Sequence, residues 1–174
     1  LGGVVACDSV KCAGNLLDAD IIRYYSETYK LLIGERSAEE IKIKHACVFN
    51  PSAEEAGTVT GRSLINGMPA RAPVSELDIY KAISEDIEKI AKTAVSVFEH
   101  TPPELIGDVY ESGVVLPGGG AMIKGIGEYI SSVTGVKCVV ADEPLGCVAR
   151  GTNRAFKLAD KLRNGFEKIS AFKK

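Results

Sequence analysis

Nowhere in this sequence do apolar residues run on for the ~18 positions that a membrane-crossing helix needs, and no signal peptide is visible at the start. Histidine is almost absent. His45 and His100 are the only two, and neither sits in a setting that would activate a nucleophile, so a Ser-His-Asp hydrolase finds no support. Cysteine builds no framework. Cys7, Cys12, Cys47, Cys138 and Cys147 are odd in number and scattered through apolar patterns, which points to reduced thiols in a cytosolic protein. Cys7 and Cys12 are spaced C-x4-C, and His45 with Cys47 makes H-x-C, but neither pair has the partner ligands a zinc site requires. Charge of one sign is lacking too. The formal net charge is −2, with acids and bases interspersed, and a nucleic-acid partner is not expected. There is no initiator methionine, and Leu1-Gly-Gly-Val-Val begins as though already inside a sheet. An excised fragment of a longer protein is the expectation.

Apolar residues at 45% and charged residues at 25% place the chain among soluble globular proteins. Its 174 residues make one ordinary domain or two small lobes. The stretch that organises the rest is Gly113-Val-Val-Leu-Pro-Gly-Gly-Gly-Ala-Met-Ile-Lys-Gly125. A short valine-rich run reads as a buried strand, three glycines break it, and a helical pattern follows. Strand, glycine turn and helix bring bare backbone to a ligand at the carboxyl end of a sheet.

Upstream, residues 1–13 alternate weakly and predict two short strands around Asp8-Ser9. Leu16 to Leu32 carries apolar and aromatic residues at helical spacing, stopped by Gly34. Ser37 with Glu40 three residues later is a capping box and predicts a helix from Ser37 to about Ala46. Residues 50–74 are turn-rich and predict two strands joined by a loop. Ser75-Glu-Leu-Asp78 is a second capping signal and opens the longest helix, about 76–99. Pro102-Pro103 starts a short helix to Ser112, and a helix over about 123–134 follows the glycine turn. Val136–Ala141 is another buried strand, and a last helix runs from near Leu145 to about Leu162, with a basic, frayed tail behind it. The pattern is α/β. Residues 1–13 and 76–174 form one subdomain, and 14–75 form a smaller inserted α+β subdomain.

Common nucleotide fingerprints do not fit the turn. Gly120 and Gly125 have Walker A spacing, but Ile126-Gly127 stands where Lys and Ser/Thr are required; a dinucleotide fingerprint needs glycine at 123, where Ile stands. The residues describe a binding surface without catalytic machinery.

Gly-Glu-Arg-Ser-Ala-Glu-Glu-Ile-Lys (34–42), Thr-Pro-Pro-Glu-Leu (101–105), Val114–Gly125 and Asp142–Thr152 together resemble segments of the MreB family, the bacterial actin-like cell-shape proteins. The resemblance runs from Leu1 to about Leu162 and covers the second half of such a protein. It implies an actin-like ATPase (ribonuclease H-like) fold. It also implies an ATP-dependent filament protein, cytoplasmic and membrane-associated, that guides cell-wall synthesis with the wall-building machinery. By the same resemblance, Gly118, Gly119, Gly120 and Ala121 lie against the adenosine and α-phosphate, and Ala38, Glu39, Glu40, Ile41 and Lys42 close over the adenine and ribose. Glu39 is the candidate ribose contact, because a carboxylate accepts sugar hydroxyls well. The phosphate loops and the magnesium ligands would lie in the other half, so this half alone should not hydrolyse ATP, while the whole protein would be a slow ATPase. The chain departs from the family pattern at Asn15, where an acid is usual, and at Pro117, where threonine is usual. Other bearers of the fold, a chaperone or a sugar kinase, and an interaction module that has lost its nucleotide, are the alternatives.

Overall fold

In the computed structural model, which describes residues 4–157, the chain leaves an N-terminal stretch without regular secondary structure and enters helix α1 (Gly14–Thr28). Leu17, Ile21 and Tyr25 fall on one face of it and are buried. The helix stops before the expected Leu32. Lys30 takes a left-handed φ of 51°, and Leu31–Leu32 leave as strand β1, pairing antiparallel with Ser63 and Arg62. An apolar Leu-Leu pair continues a helical pattern as well as it starts a strand, so pairing with a distant segment decides the matter.

Helix α2 spans Glu35–His45. It begins two residues before the predicted Ser37. Gly34 occupies the N-cap in an extended conformation, and its carbonyl accepts the Ala38 N–H at 3.0 Å. Ser37 is therefore inside the first turn and caps nothing. Strands β2 (Glu55–Ser63) and β3 (Pro69–Ser75) form an antiparallel hairpin, with Val59 opposite Ala72. With β1 they make a three-stranded sheet of order β1-β2-β3. Ser75 then caps the long helix α3 (Glu76–Glu99), its Oγ accepting the Asp78 N–H at 3.1 Å. The side-chain carboxylate of Asp78 accepts from the hydroxyls of Ser75, Tyr24 and Tyr29, at 2.7, 2.9 and 3.1 Å, which ties α1 to the start of α3.

Helix α4 (Pro103–Ser112) leads into β4 (Val114–Leu116), which is joined through α5 (Ile126–Thr134) to β5 (Cys138–Val140). The two strands run parallel, as a helical crossover requires. Helix α6 (Cys147–Lys157) follows; the expected helix end near Leu162 and the tail lie outside the described residues. One set of buried side chains runs through the molecule: Ile21 and Tyr25 of α1, Ile41 of α2, Val59 and Val74 of the sheet, Ile83 and Ile87 of α3, and Ile126 and Ile130 of α5.

The two strands expected within residues 1–13 are absent from the described part, residues 4–13, which has no strand pairing. A strand exists only through a ladder partner, and none of the described strands offers these residues one. All five cysteines are free.

One polar cluster is buried between α1 and α3. Asp20 and Asp86 are 7% and 3% exposed. Arg23 pairs with Asp20 at 2.7 Å, and Lys89 with Asp86 at 2.5 Å. Burial, together with hydrogen bonding to Asp86, pushes the Asp20 carboxyl above its ordinary range. The Lys89 ammonium holds Asp86 below it, and the Cys12 thiol facing the pair is pushed up by burial and by Asp86. The signs are opposite. What Asp20 contributes is present below the ordinary carboxylate pKa and is lost as pH rises through its raised value. What Asp86 contributes is present above the ordinary value and is lost as pH falls through its lowered one. Asp20→Asn should therefore abolish the decline in stability as pH rises from about 4 toward neutrality, while leaving the acid-side loss due to Asp86. Urea melts of both forms across that range read this directly; a decline that persists in Asp20→Asn would refute it.

Candidate functional site

The glycine turn is anchored at both ends and bare in its middle. After β4, the Gly118 N–H donates to the carbonyl of Pro144 at 2.9 Å, and residues Gly119–Met122 form a single 3-10 turn. Ala121 is buried. Behind the turn, Lys124 makes a parallel bridge with Cys47, and its carbonyl accepts the Val48 N–H at 2.9 Å. Gly125 takes a φ of 80°, so close to Phe49 that a Cβ would stand 2.7 Å from the Phe49 Cβ. Only glycine satisfies both conditions. Helix α5 begins there, three residues later than the expected start at Ile123. Between these anchors, a Cβ on Gly120 would meet nothing within 4 Å. Backbone at this point is open to a ligand.

The Lys124 ammonium also bonds Glu76 Oε1 at 2.7 Å, while Glu76 Oε2 accepts the Ser52 N–H at 3.0 Å. Both contacts hold the Glu76 carboxyl below its ordinary range, the lysine's being the larger.

The residues expected on α2 divide by face. Ala38 and Ile41 are buried and point into the core, so only their backbone is available to anything outside. Glu40 is exposed and pairs with Arg36 at 3.1 Å. Lys42 reaches α1, making an ion pair with Asp18 at 2.7 Å and donating to the Gly14 carbonyl at 3.0 Å. Both of these side chains are largely covered. Glu39 is exposed, and among the described residues its carboxylate has no hydrogen-bond or ion-pair partner. It lines an open groove of about 400 Å³ between the first turns of the two helices, with Asn15, Asp18 and Ile22 on one wall and Glu35 and Arg36 on the other.

The structure thus shows two separate features, the turn and the groove. Gly118–Ala121 do not line the groove. They are tied to the α2 side through the bridge of Lys124 with Cys47. Reading the sequence brought out Glu39 but missed Asp18, Glu35 and Arg36 as neighbours, because helix contacts between α1 and α2 leave no local spacing to find. A legible signal did exist at the adjoining Ala13-Gly14-Asn15, the segment that opens α1.

A smaller hollow of about 180 Å³ lies between Ala6–Asp8 and the end of α3 at Ser96, Val97 and His100. The His100 ring is engaged with the Ser96 carbonyl at 2.7 Å. No helix of the described residues is long and apolar enough to cross a membrane.

Comparison with known proteins shows the family and the fold. The family model described as MreB/Mbl protein matches residues 1–164. The cell shape-determining protein Mbl of Bacillus subtilis is 39% identical over 162 residues, which cover 93% of this chain and 49% of that protein. The cell shape-determining protein MreB of Escherichia coli K12 is 36% identical over 160 residues, covering 92% and 46%. Among solved structures, MreB5 of Spiroplasma citri bound to ADP superposes with a TM-score of 0.85 at 32% identity, over 92% of this chain and 49% of that one. A MamK double helical filament shares the fold, with a TM-score of 0.71 at 23% identity over 85% of this chain and 45% of that one. The chain spans about half the length of the curated relatives it matches.

Proposed function

Because the chain belongs to the MreB/Mbl family, we propose that it supplies the adenosine side of the nucleotide site in a bacterial actin whose ATP-dependent filaments guide cell-wall synthesis and rod shape. It has the α/β fold of an actin-like ATPase half. On this reading residues 14–75 form the smaller subdomain and the remainder the larger one. The whole protein is a slow ATPase that assembles with copies of itself and works with the wall-synthesis machinery at the membrane from the cytoplasm. Its similarity to named cell-shape proteins leaves a chaperone or sugar kinase without comparable support.

The observation that carries the reading is the glycine turn, held at both ends and open at Gly120. Bare backbone with room beside it suits a nucleoside. The relatives' structures carry ADP in one case and AMPPNP in another, in agreement with this. Glu39, exposed and without a partner among the described residues, supplies acceptors for ribose hydroxyls. The buried Ala38 and Ile41 and the engaged Lys42 act by holding α2 in place beneath the sugar. Magnesium, and the groups that orient the attacking water, come from the other half of the cleft, so this chain by itself does not hydrolyse ATP.

The test is Glu39→Ala in the whole protein. One lost pair of charge-assisted hydrogen bonds should weaken AMPPNP binding roughly tenfold, read by calorimetry, with the melting temperature unchanged because Glu39 is exposed. Undiminished affinity would remove Glu39 from the site.

A further inference from the structure

The two parallel strands end side by side, with Leu116 of β4 opposite Val140 of β5. Ligands of open parallel sheets bind just beyond the carboxyl ends of neighbouring strands. The segment beyond β4 is the glycine turn. Beyond β5 the chain runs through Ala141 to a one-turn 3-10 segment at Pro144–Gly146. These two segments are laced together. The Ala141 N–H donates to the Leu116 carbonyl at 3.0 Å, and the Gly118 N–H to that of Pro144 at 2.9 Å. Glu143 takes a left-handed φ of 49°, a conformation that residues other than glycine rarely adopt. Its carboxylate is held by Arg150. The result is that Leu145 is carried onto the turn. Its Cδ2 stands 3.4 Å from where a Cβ on Gly119 would lie, yet the residue is 68% exposed.

We propose that Leu145 is a base-contacting residue of the nucleotide site, laying its side chain against the flat face of the purine base where the base rests on Gly119 and Gly120. The assignment rests on the reading of the turn as the adenosine site. A leucine offers no hydrogen bond, so among the parts of a nucleotide it favours the ring over the ribose hydroxyls and the phosphates. The open space beside Gly120 adjoins it on the same turn, which leaves room for a ring to rest on backbone and touch the leucine at one side. The sequence offered no sign of this, because Asp-Glu-Pro-Leu reads as a polar turn opening a helix.

The experiment is done on the whole protein with Leu145→Ala and, alongside it, Gly120→Val. Leu145→Ala should weaken AMPPNP binding roughly fivefold, by loss of the apolar area the base covers. It should leave the melting temperature unaltered and leave unaltered the affinity of inorganic tripolyphosphate, which has no base. Leu145→Met should restore AMPPNP binding. If Leu145→Ala leaves AMPPNP affinity intact while Gly120→Val destroys it, Leu145 is no base contact and the turn keeps its role. If AMPPNP and tripolyphosphate weaken together, the leucine acts through the fold and the assignment is overturned. If Gly120→Val binds AMPPNP normally, the reading of the turn falls, and the assignment of Leu145 with it.

Discussion

Gly120→Val is expected to abolish nucleotide binding by the whole protein while leaving its fold intact. The two halves of that expectation have separate grounds. A Cβ at Gly120 meets nothing within 4 Å, and the residue is not in the left-handed region, so the isopropyl group has room in the unliganded protein and costs little stability. The same room is what the adenosine is proposed to occupy. Filling it denies the ligand contact with the backbone on that side and pushes it out of register with Glu39. A loss of at least a hundredfold in AMPPNP affinity, about 3 kcal/mol, is the scale of a ligand excluded from its seat. Calorimetry reads the affinity, and a thermal melt shows whether the fold is untouched. Retained nucleotide-dependent assembly with normal affinity would mean that the turn is not the adenosine platform.

Gly125→Val should do the reverse and damage the fold first. Its φ of 80° is unfavourable for any side chain, and a β-branched one most of all. The added Cβ would also stand 2.9 Å from the Phe49 backbone nitrogen, an atom fixed in the segment that bridges to Lys124. Backbone strain and forced displacement together should remove about 3 kcal/mol of stability. The urea midpoint would fall, in the presence or absence of nucleotide. Gly125→Ala, with the same φ but less bulk, should fall by less. A valine variant that melts with the wild type would show that the segment at Phe49 is free to move.

The contrast between these glycines shows how far the sequence could be read. All the glycines from 118 to 125 belong to one motif, and strand, turn and helix were legible from the valine run and the breaks. Which glycine is left open and which presses on Phe49 was not, because Phe49 lies in a distant loop. The same limit explains the other differences. Helix α3 declared itself because Ser75, Asp78 and a long apolar face all lie within one local window. The start of α2 did not, since Ser37 and Glu40 match a capping box by spacing while Gly34 sets the entry through its backbone. Residues 4–13 alternate as strands do, but alternation states only which residues would share a face. Whether a neighbouring edge exists is a property of the rest of the molecule. In the candidate site, Glu39 was found by resemblance, and the structure places it exposed on α2. Asp18 and Leu145 required the packing of α1 on α2 and of one post-strand segment on another.

The bridge between Cys47 and Lys124 bears on motion. Cys47 and Val48 are almost wholly buried, and on either side of them lie α2 and the glycine turn. Helix α2 and helix α5, which follows the turn, also share one continuous core through Ile41 and Ile126. A hinge needs a few residues free to change their backbone angles, and the route joining these two walls is fixed by a backbone hydrogen bond, a buried thiol and a glycine pressed on Phe49. The two walls therefore behave as a single jaw. If the turn seats a nucleotide as proposed, the ligand would meet these two walls as one fixed surface, and a closing motion would have to come from the other half of the protein.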